Sequence, residues 1–118
     1  LFSRGTWIQL GIARASTNEL VGDVGACVLA AGLTAEIGFT LAPDAQGAGL
    51  GTGAVRELIR LIFAQTGVTE IVAVTDERNA AAGRLLTRVG MRKGEARHTV
   101  FRGGPCVERV WTISRGAP

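Results

Sequence analysis

Cysteine and histidine are scarce. Cys27, Cys106 and His98 are the whole supply in 118 residues, and no CxxC pair occurs. That is too little for a disulfide framework in a chain of this length, and it leaves no ligand set for structural zinc. No apolar run reaches the roughly 18 residues that a bilayer crossing needs. No charged-then-apolar leader opens the chain. The 13 basic residues are scattered rather than gathered in runs, which argues against nucleic acid as the main ligand. The net charge of +3 suits a small anionic ligand equally well. Two reduced cysteines fit a cytoplasmic protein.

What is present reads as one globular domain with a modest core. Hydrophobic residues make up 47% of the chain and charged ones 19%, a balance that disordered chains do not show. The sequence opens at Leu1 rather than Met, so a piece of a longer domain is one reading of it.

The apolar pattern divides the chain into elements. Thr6 to Arg14 alternates, with Ile8, Leu10 and Ile12 on one face, and predicts a half-buried strand. Leu20 to Leu29, weakened by Gly22 and Gly25, and Ala35 to Leu41 predict two more, joined by short turns as in an antiparallel meander. From Leu50 the period becomes helical: Val55, Leu58, Ile59 and Ile62 form a stripe opposite Arg56, Glu57 and Arg60, with Gly67 as the expected C-cap. Residues 69–75 predict a strand covered on both faces, in the manner of parallel strands. A second helix follows, capped by Asp76 or Asn79, striped by Ala82, Leu85, Leu86 and Val89, and stopped by Gly90. Two strands, about 94–102 and 106–114, flank the glycine pair 103–104 as a hairpin, with Val107, Arg109, Trp111 and Ile113 on one face. The fold class is therefore α/β with a mixed sheet: a meander, a βαβ unit, a second helix and a C-terminal hairpin.

Between the third strand and the first helix lies QGAGLGTGA, Gln46 to Ala54, with four glycines. Glycine serves where backbone turns sharply or lets a ligand come close. No lysine follows as a Walker loop requires, so the terminal phosphates of a nucleoside triphosphate would go unneutralised. Gly49, Gly51 and Ala54 match the dinucleotide fingerprint, and Asp76 stands near the end of the next strand. Yet three antiparallel strands precede the loop and only one βαβ unit is present, where a dinucleotide fold needs more. A third ligand, another pyrophosphate, fits the loop too: successive N–H groups with a helix dipole behind them favour phosphate.

Gln46-Gly47-Ala48-Gly49-Leu50-Gly51 fits Q/R-x-x-G-x-G/A, and here the chain resembles the GNAT superfamily of acetyl-CoA-dependent N-acetyltransferases. It is similar above all to the branch that acetylates ribosomal-protein N-termini. AEIGFTLAP, QGAGLGTGAVRELIRLIF, NAAAGRLLTRVGMRKGE and FRGGPCVERVWTI stand in that branch's order, and the likeness runs from about Gly5 to Ile113.

The resemblance implies roles. Gln46, Gly47, Ala48, Gly49, Leu50, Gly51, Thr52 and Gly53 would clasp the pyrophosphate of acetyl-CoA. Backbone groups of Phe39, Thr40 and Leu41 would pair with the pantetheine arm, one N–H polarising the thioester carbonyl. Asn79 would bond the arm from the other side, or serve only as a helix cap. Arg84 or Arg88 would meet the adenosine phosphate, or lie on a solvated helix face. Glu36 is the candidate base, needed because a cationic amine cannot attack; a plain strand carboxylate is the other reading. The family's usual acids are missing, since the chain has no tyrosine and Ala82 stands at the branch's serine position. An acetyl-cysteine route through Cys27 or Cys106 is a remote option, and His98 reads as a hairpin residue. No metal site is expected.

The family domain ordinarily begins with a further strand and two helices that wall the acceptor site. The resemblance therefore implies either an N-terminally truncated domain or a homodimer in which another chain supplies the wall. The partners expected are acetyl-CoA and an amine acceptor, a protein N-terminus or a small amine, with no nucleic acid and no membrane. The alternatives are a non-catalytic coenzyme A-binding module and a dinucleotide-binding oxidoreductase fragment.

Overall fold

A computed structural model describes residues 1–43, 46, 49–101 and 103–116. Six strands and two helices follow in the order β1 (Ile8–Ala13), β2 (Leu20–Val28), β3 (Thr34–Leu41), α1 (Leu50–Gln65), β4 (Glu70–Asp76), α2 (Ala80–Arg88), β5 (Arg92–Phe101) and β6 (Gly104–Ser114). The strands form one sheet in the order β1-β2-β3-β4-β6-β5. Every pairing is antiparallel except β3 with β4. A sheet with one parallel pair cannot supply the second βαβ unit of a dinucleotide fold, and that alternative ends here.

The core lies on one side of the sheet. Ala26 and Val28 of β2, Ala35 and Ile37 of β3, Ile71 and Ala73 of β4, and Trp111 of β6 all share that face by register. Val55, Leu58, Ile59 and Ile62 of α1 and Leu86 of α2 close over it. The predicted stripes of both helices are thus the packed ones. The opposite face carries no helix among the described residues; Val72, Val74 and Val110 there are only half-buried.

Several sequence expectations are corrected. β4 alternates between buried and half-buried positions, so it is not covered on both faces. Gly67 does not stop α1. The helix ends at Gln65, and Thr66, extended at φ −130°, caps it by donating its N–H and its hydroxyl to Ile62 O at 3.0 and 2.8 Å. Gly22 has a place of its own in β2. A Cβ there would stand 2.2 Å from Thr40 O, so glycine permits the close approach of β2 to β3. The final hairpin is longer than its apolar pattern suggests, with Gly104 at φ 120° already in β6. Gly90, at φ 94°, lies where the second stop was expected.

Candidate functional site

The sheet parts at its one parallel pairing. β3 is paired to β4 only from Thr34 to Ile37, against Glu70 to Ala73. Beyond that point β3 follows β2 as far as Leu41, while β4 follows β6 as far as Asp76. A cleft opens between residues 38–41 and 74–76. Leu29 N–H donates to Thr34 O and Ala42 N–H to Val21 O, so the even-numbered residues of β3 turn their backbone groups to β2. The N–H and C=O of Phe39 and Leu41 therefore face the cleft. Thr40, grouped with them in the sequence reading, turns its backbone the other way, and its carbonyl lies against Gly22. Leu41 O accepts from Gln46 Nε2 at 3.2 Å, which ties the start of the glycine loop to the cleft edge.

At the cleft mouth α1 begins. Its N-cap, Gly49, sits in the left-handed region at φ 79°, where glycine carries no penalty. No side chain caps this end, and no acidic residue stands in its first turn. The first-turn amides of Leu50, Gly51 and Thr52 are thus left for a partner. Gly51 is buried; a Cβ would meet Leu85 Cδ1 at 2.9 Å and Leu41 Cδ2 at 3.4 Å, so glycine seats α1 against α2. Leu50 packs on the core. Gly53 donates to Gly49 O and does not line the cavity. Gly47 and Ala48 lie outside the described residues.

A cavity of about 530 Å³ occupies this mouth. Phe39, Thr40 and Leu41 form one side, Gln46, Gly49, Gly51 and Thr52 the next, and Asn79 with Ala82, Arg84 and Arg88 of α2 the third. Arg88, left unassigned between two readings at the sequence level, stands one turn from Arg84 on this wall, and Arg56 of α1 donates to its carbonyl at 3.1 Å. A helix N-terminus and two guanidiniums give the mouth a positive character. The walls suit an elongated ligand, anionic at the helix end and able to pair with a strand edge further in.

Asn79 is the cap of α2, its Oδ1 accepting from Ala82 N–H at 3.0 Å. Asp76, the rival cap, instead accepts from the backbone and guanidinium of Arg78. That Arg78 side-chain bond, with the backbone one, lowers its carboxyl to about 2. Ala82 is buried and brings no hydroxyl to the wall. Behind α2, Trp111 Nε1 donates to Thr75 Oγ1 at 3.0 Å. Gly83 lets the helix lie against that indole, a Cβ there falling 3.3 Å from it. The sequence reading missed this seat; a glycine inside a helical stripe was its only signal.

Glu36 is not on the cavity wall. Alternation sends it to the helix-free face with Gly38 and Thr40, between Cys27 of β2 and Val72 of β4. It forms no ion pair or side-chain hydrogen bond among the described residues. Glu36 thus lies on the sheet face away from the cavity, in the paired stretch of β3 just before the cleft opens. Cys27 is buried, its Sγ directed to Val28 O, and Cys106 and His98 lie on the β5–β6 hairpin. No cluster able to hold a metal occurs among the described residues, and no helix there is long and apolar enough to cross a membrane.

Residues 2–92 match the model of the acetyltransferase (GNAT) domain family. The uncharacterized N-acetyltransferase YoaA of Bacillus subtilis (strain 168) is 31% identical over 116 residues, which are 96% of this chain and 66% of that protein. The ribosomal-protein-S5-alanine acetyltransferase of Vibrio fischeri superposes with a TM-score of 0.83 at 17% identity, over 95% of this chain and 64% of that one. The microcin C7 self-immunity acetyltransferase MccE, solved with acetyl-CoA and AMP, gives 0.81 at 20% identity, over 92% and 61%. The chain therefore spans about two thirds of the length of these proteins, and the two structural likenesses speak for the fold.

Proposed function

This chain belongs to the GNAT acetyltransferase family, and we propose that it moves an acetyl group from acetyl-CoA to a primary amine. The parting of β3 from β4 beside the uncapped start of α1 is the observation that carries this reading. The pyrophosphate is assigned to the amides of α1's first turn and the glycine loop, with Arg84 near the adenosine phosphate. The pantetheine arm is assigned to the cleft edge at Phe39 and Leu41, whose free N–H groups can meet the thioester oxygen. Asn79 keeps its amide NH₂ free for the arm while its oxygen holds the cap.

In this reading the neutral amine nitrogen attacks the thioester carbonyl carbon, the C–S bond breaks, and coenzyme A leaves as thiolate. The proton lost by the amine goes to Glu36, directly or through water. Thiolate protonation falls to solvent, since no tyrosine or serine stands at the family's positions. The acceptor is a protein N-terminus or a small amine; the ribosomal-protein enzyme among the neighbours supports the first. A second copy that walls the acceptor site, packed on the half-buried valines of the helix-free face, belongs to the same reading, and sedimentation equilibrium tests it.

Thermal unfolding with acetyl-CoA, coenzyme A, NAD and ATP tests the ligand. A ligand specific to the folded state adds about 2.7 kcal/mol at 100 times its dissociation constant. Acetyl-CoA and coenzyme A stabilise the chain, and NAD and ATP do not. Stabilisation by NAD alone would sink the proposal. The rival reading, a coenzyme A-binding module without turnover, is favoured by Ala82 and the absent tyrosine. It requires coenzyme binding with no thiol release from any amine.

A further inference from the structure

We propose that Thr40 orients the acceptor amine, and that Asp23 acts through it as a positioning residue. The inference rests on the acetyl-transfer reading above. Thr40 projects from the helix-free face, two residues along β3 from Gly38 and four from Glu36, so its Cα lies about 13 Å from that of Glu36 along the strand. Its immediate chain neighbours, Phe39 and Leu41, are the residues whose backbone faces the cleft. Any nucleophile that reaches the cleft edge from the helix-free side passes between Glu36 and Thr40, over Gly38. A Cβ at Gly38 would meet nothing within 4 Å, and Gly38's partner across β2 is Gly25. The path is open above Gly38, and the side chains of Trp7 and Gln9, each 3.6 Å from where a Cβ of Gly25 would stand, border it on the β1 side.

The chemistry of Thr40 is set by one bond. Its Oγ1 donates to Asp23 Oδ1 at 3.0 Å. A hydroxyl has a single proton and two lone pairs. With the proton committed to a carboxylate, Thr40 can only accept. A primary amine attacks through its lone pair and keeps N–H donors to spare, so an accept-only hydroxyl at the cleft edge is the group that can hold it in line. Asp23 has no competing partner: it forms no ion pair among the described residues, and its neighbour on β1 is Gly11. The pair is rigidly placed, because β2 closes on the Thr40 backbone at Gly22.

The test compares wild type with Thr40→Val, Thr40→Ser, Asp23→Ala and Asp23→Asn. Thiol release is followed with spermidine and with alanyl-alanine amide, and acetyl-CoA affinity is measured in parallel. Thr40→Val and Asp23→Ala each lower kcat/KM for the amine about tenfold, the worth of one such hydrogen bond, while acetyl-CoA affinity stays as in wild type. Thr40→Ser restores the rate, and Asp23→Asn, whose amide oxygen still accepts from Thr40, retains most of it. Unchanged kcat/KM in Thr40→Val overturns the proposal, as does a parallel loss of acetyl-CoA affinity, which would give the Thr40 side chain to the coenzyme rather than to the amine. A wild type that binds acetyl-CoA but releases no thiol with either amine also overturns it and leaves coenzyme binding standing. Failure to bind acetyl-CoA overturns the acetyl-transfer reading itself.

Discussion

Asn79 Oδ1 accepts the N–H of Ala82 at 3.0 Å, and by that bond one side chain both starts α2 and stands on the cavity wall. The two roles separate by substitution. Asn79→Asp keeps an accepting oxygen and loses the amide NH₂. It holds the unfolding temperature and weakens acetyl-CoA binding several-fold. Asn79→Ala also loses the cap, at a cost of about 1 kcal/mol. Calorimetry with and without acetyl-CoA reads both effects; equal affinity in Asn79→Asp and wild type would leave Asn79 a cap and nothing more.

Glu36→Gln keeps the size of the side chain and removes its basicity. It lowers kcat by about 10²-fold or more, the usual worth of a positioned base, with acetyl-CoA affinity unchanged. Rates measured across the pH range check the assignment. An unaltered profile in Glu36→Gln would move the base elsewhere.

Gly38→Val places an isopropyl group on the bare strip of β3. Nothing stands within 4 Å of a Cβ there, and its backbone is not in the left-handed region. Stability therefore rises by about 0.5–1 kcal/mol, as expected when a strand glycine gains a β-branched side chain. The amine-side kcat/KM falls at the same time. A variant more stable and less active, with coenzyme affinity intact, is a combination that general damage cannot produce.

Arg115 holds the far end of α1. Its guanidinium donates to the carbonyls of Phe63, Thr66 and Val68 at 2.7 to 2.9 Å, and its carbon lies 5.0 Å from the centroid of the Phe63 ring. The bonds to Phe63 and Thr66 satisfy carbonyls that a helix C-terminus leaves open, and the third holds the turn that follows. Arg115→Ala lowers stability by about 1–3 kcal/mol, read by urea unfolding. Arg115→Lys recovers only part of that loss, because an ammonium lacks the planar fork.

Asp76 makes stability depend on acid pH. Its folded value, about 2, lies below the ordinary 3.8 because Arg78 bonds the ionised form. A depressed carboxylate contributes stability that is complete above the ordinary value and is lost as pH falls through the folded one. Asp76→Asn therefore flattens unfolding free energy between about pH 4 and pH 2 and leaves its slope above pH 5 unchanged.

The apolar periods of α1 and α2 were legible because each stripe packs on the same sheet face, so burial and period agree. The meander was legible for the same reason. The end of α1 was not. Thr66 stops it with a hydroxyl bond to Ile62, whereas composition pointed to the glycine one residue on. The glycine loop and strand AEIGFTL meet at one cavity mouth, but the direction in which each residue points was not legible. Which of Phe39, Thr40 and Leu41 faces the cleft depends on the register of β2 against β3, and register is a property of two strands together. Gly83 and Arg115 escaped notice because their partners, Trp111 and the end of α1, are far away in sequence.

Only four residue pairs join β3 to β4, so the sheet is two blades, β1-β2-β3 and β4-β6-β5, meeting along a short seam. Anything lodged in that seam that exchanges hydrogen bonds with Phe39 and Leu41 supplies rungs the protein itself omits. Such an occupant becomes a splint as well as a guest. Amide hydrogen exchange then slows at Phe39 and Leu41 when it arrives, and its departure leaves that edge of β3 without a partner strand.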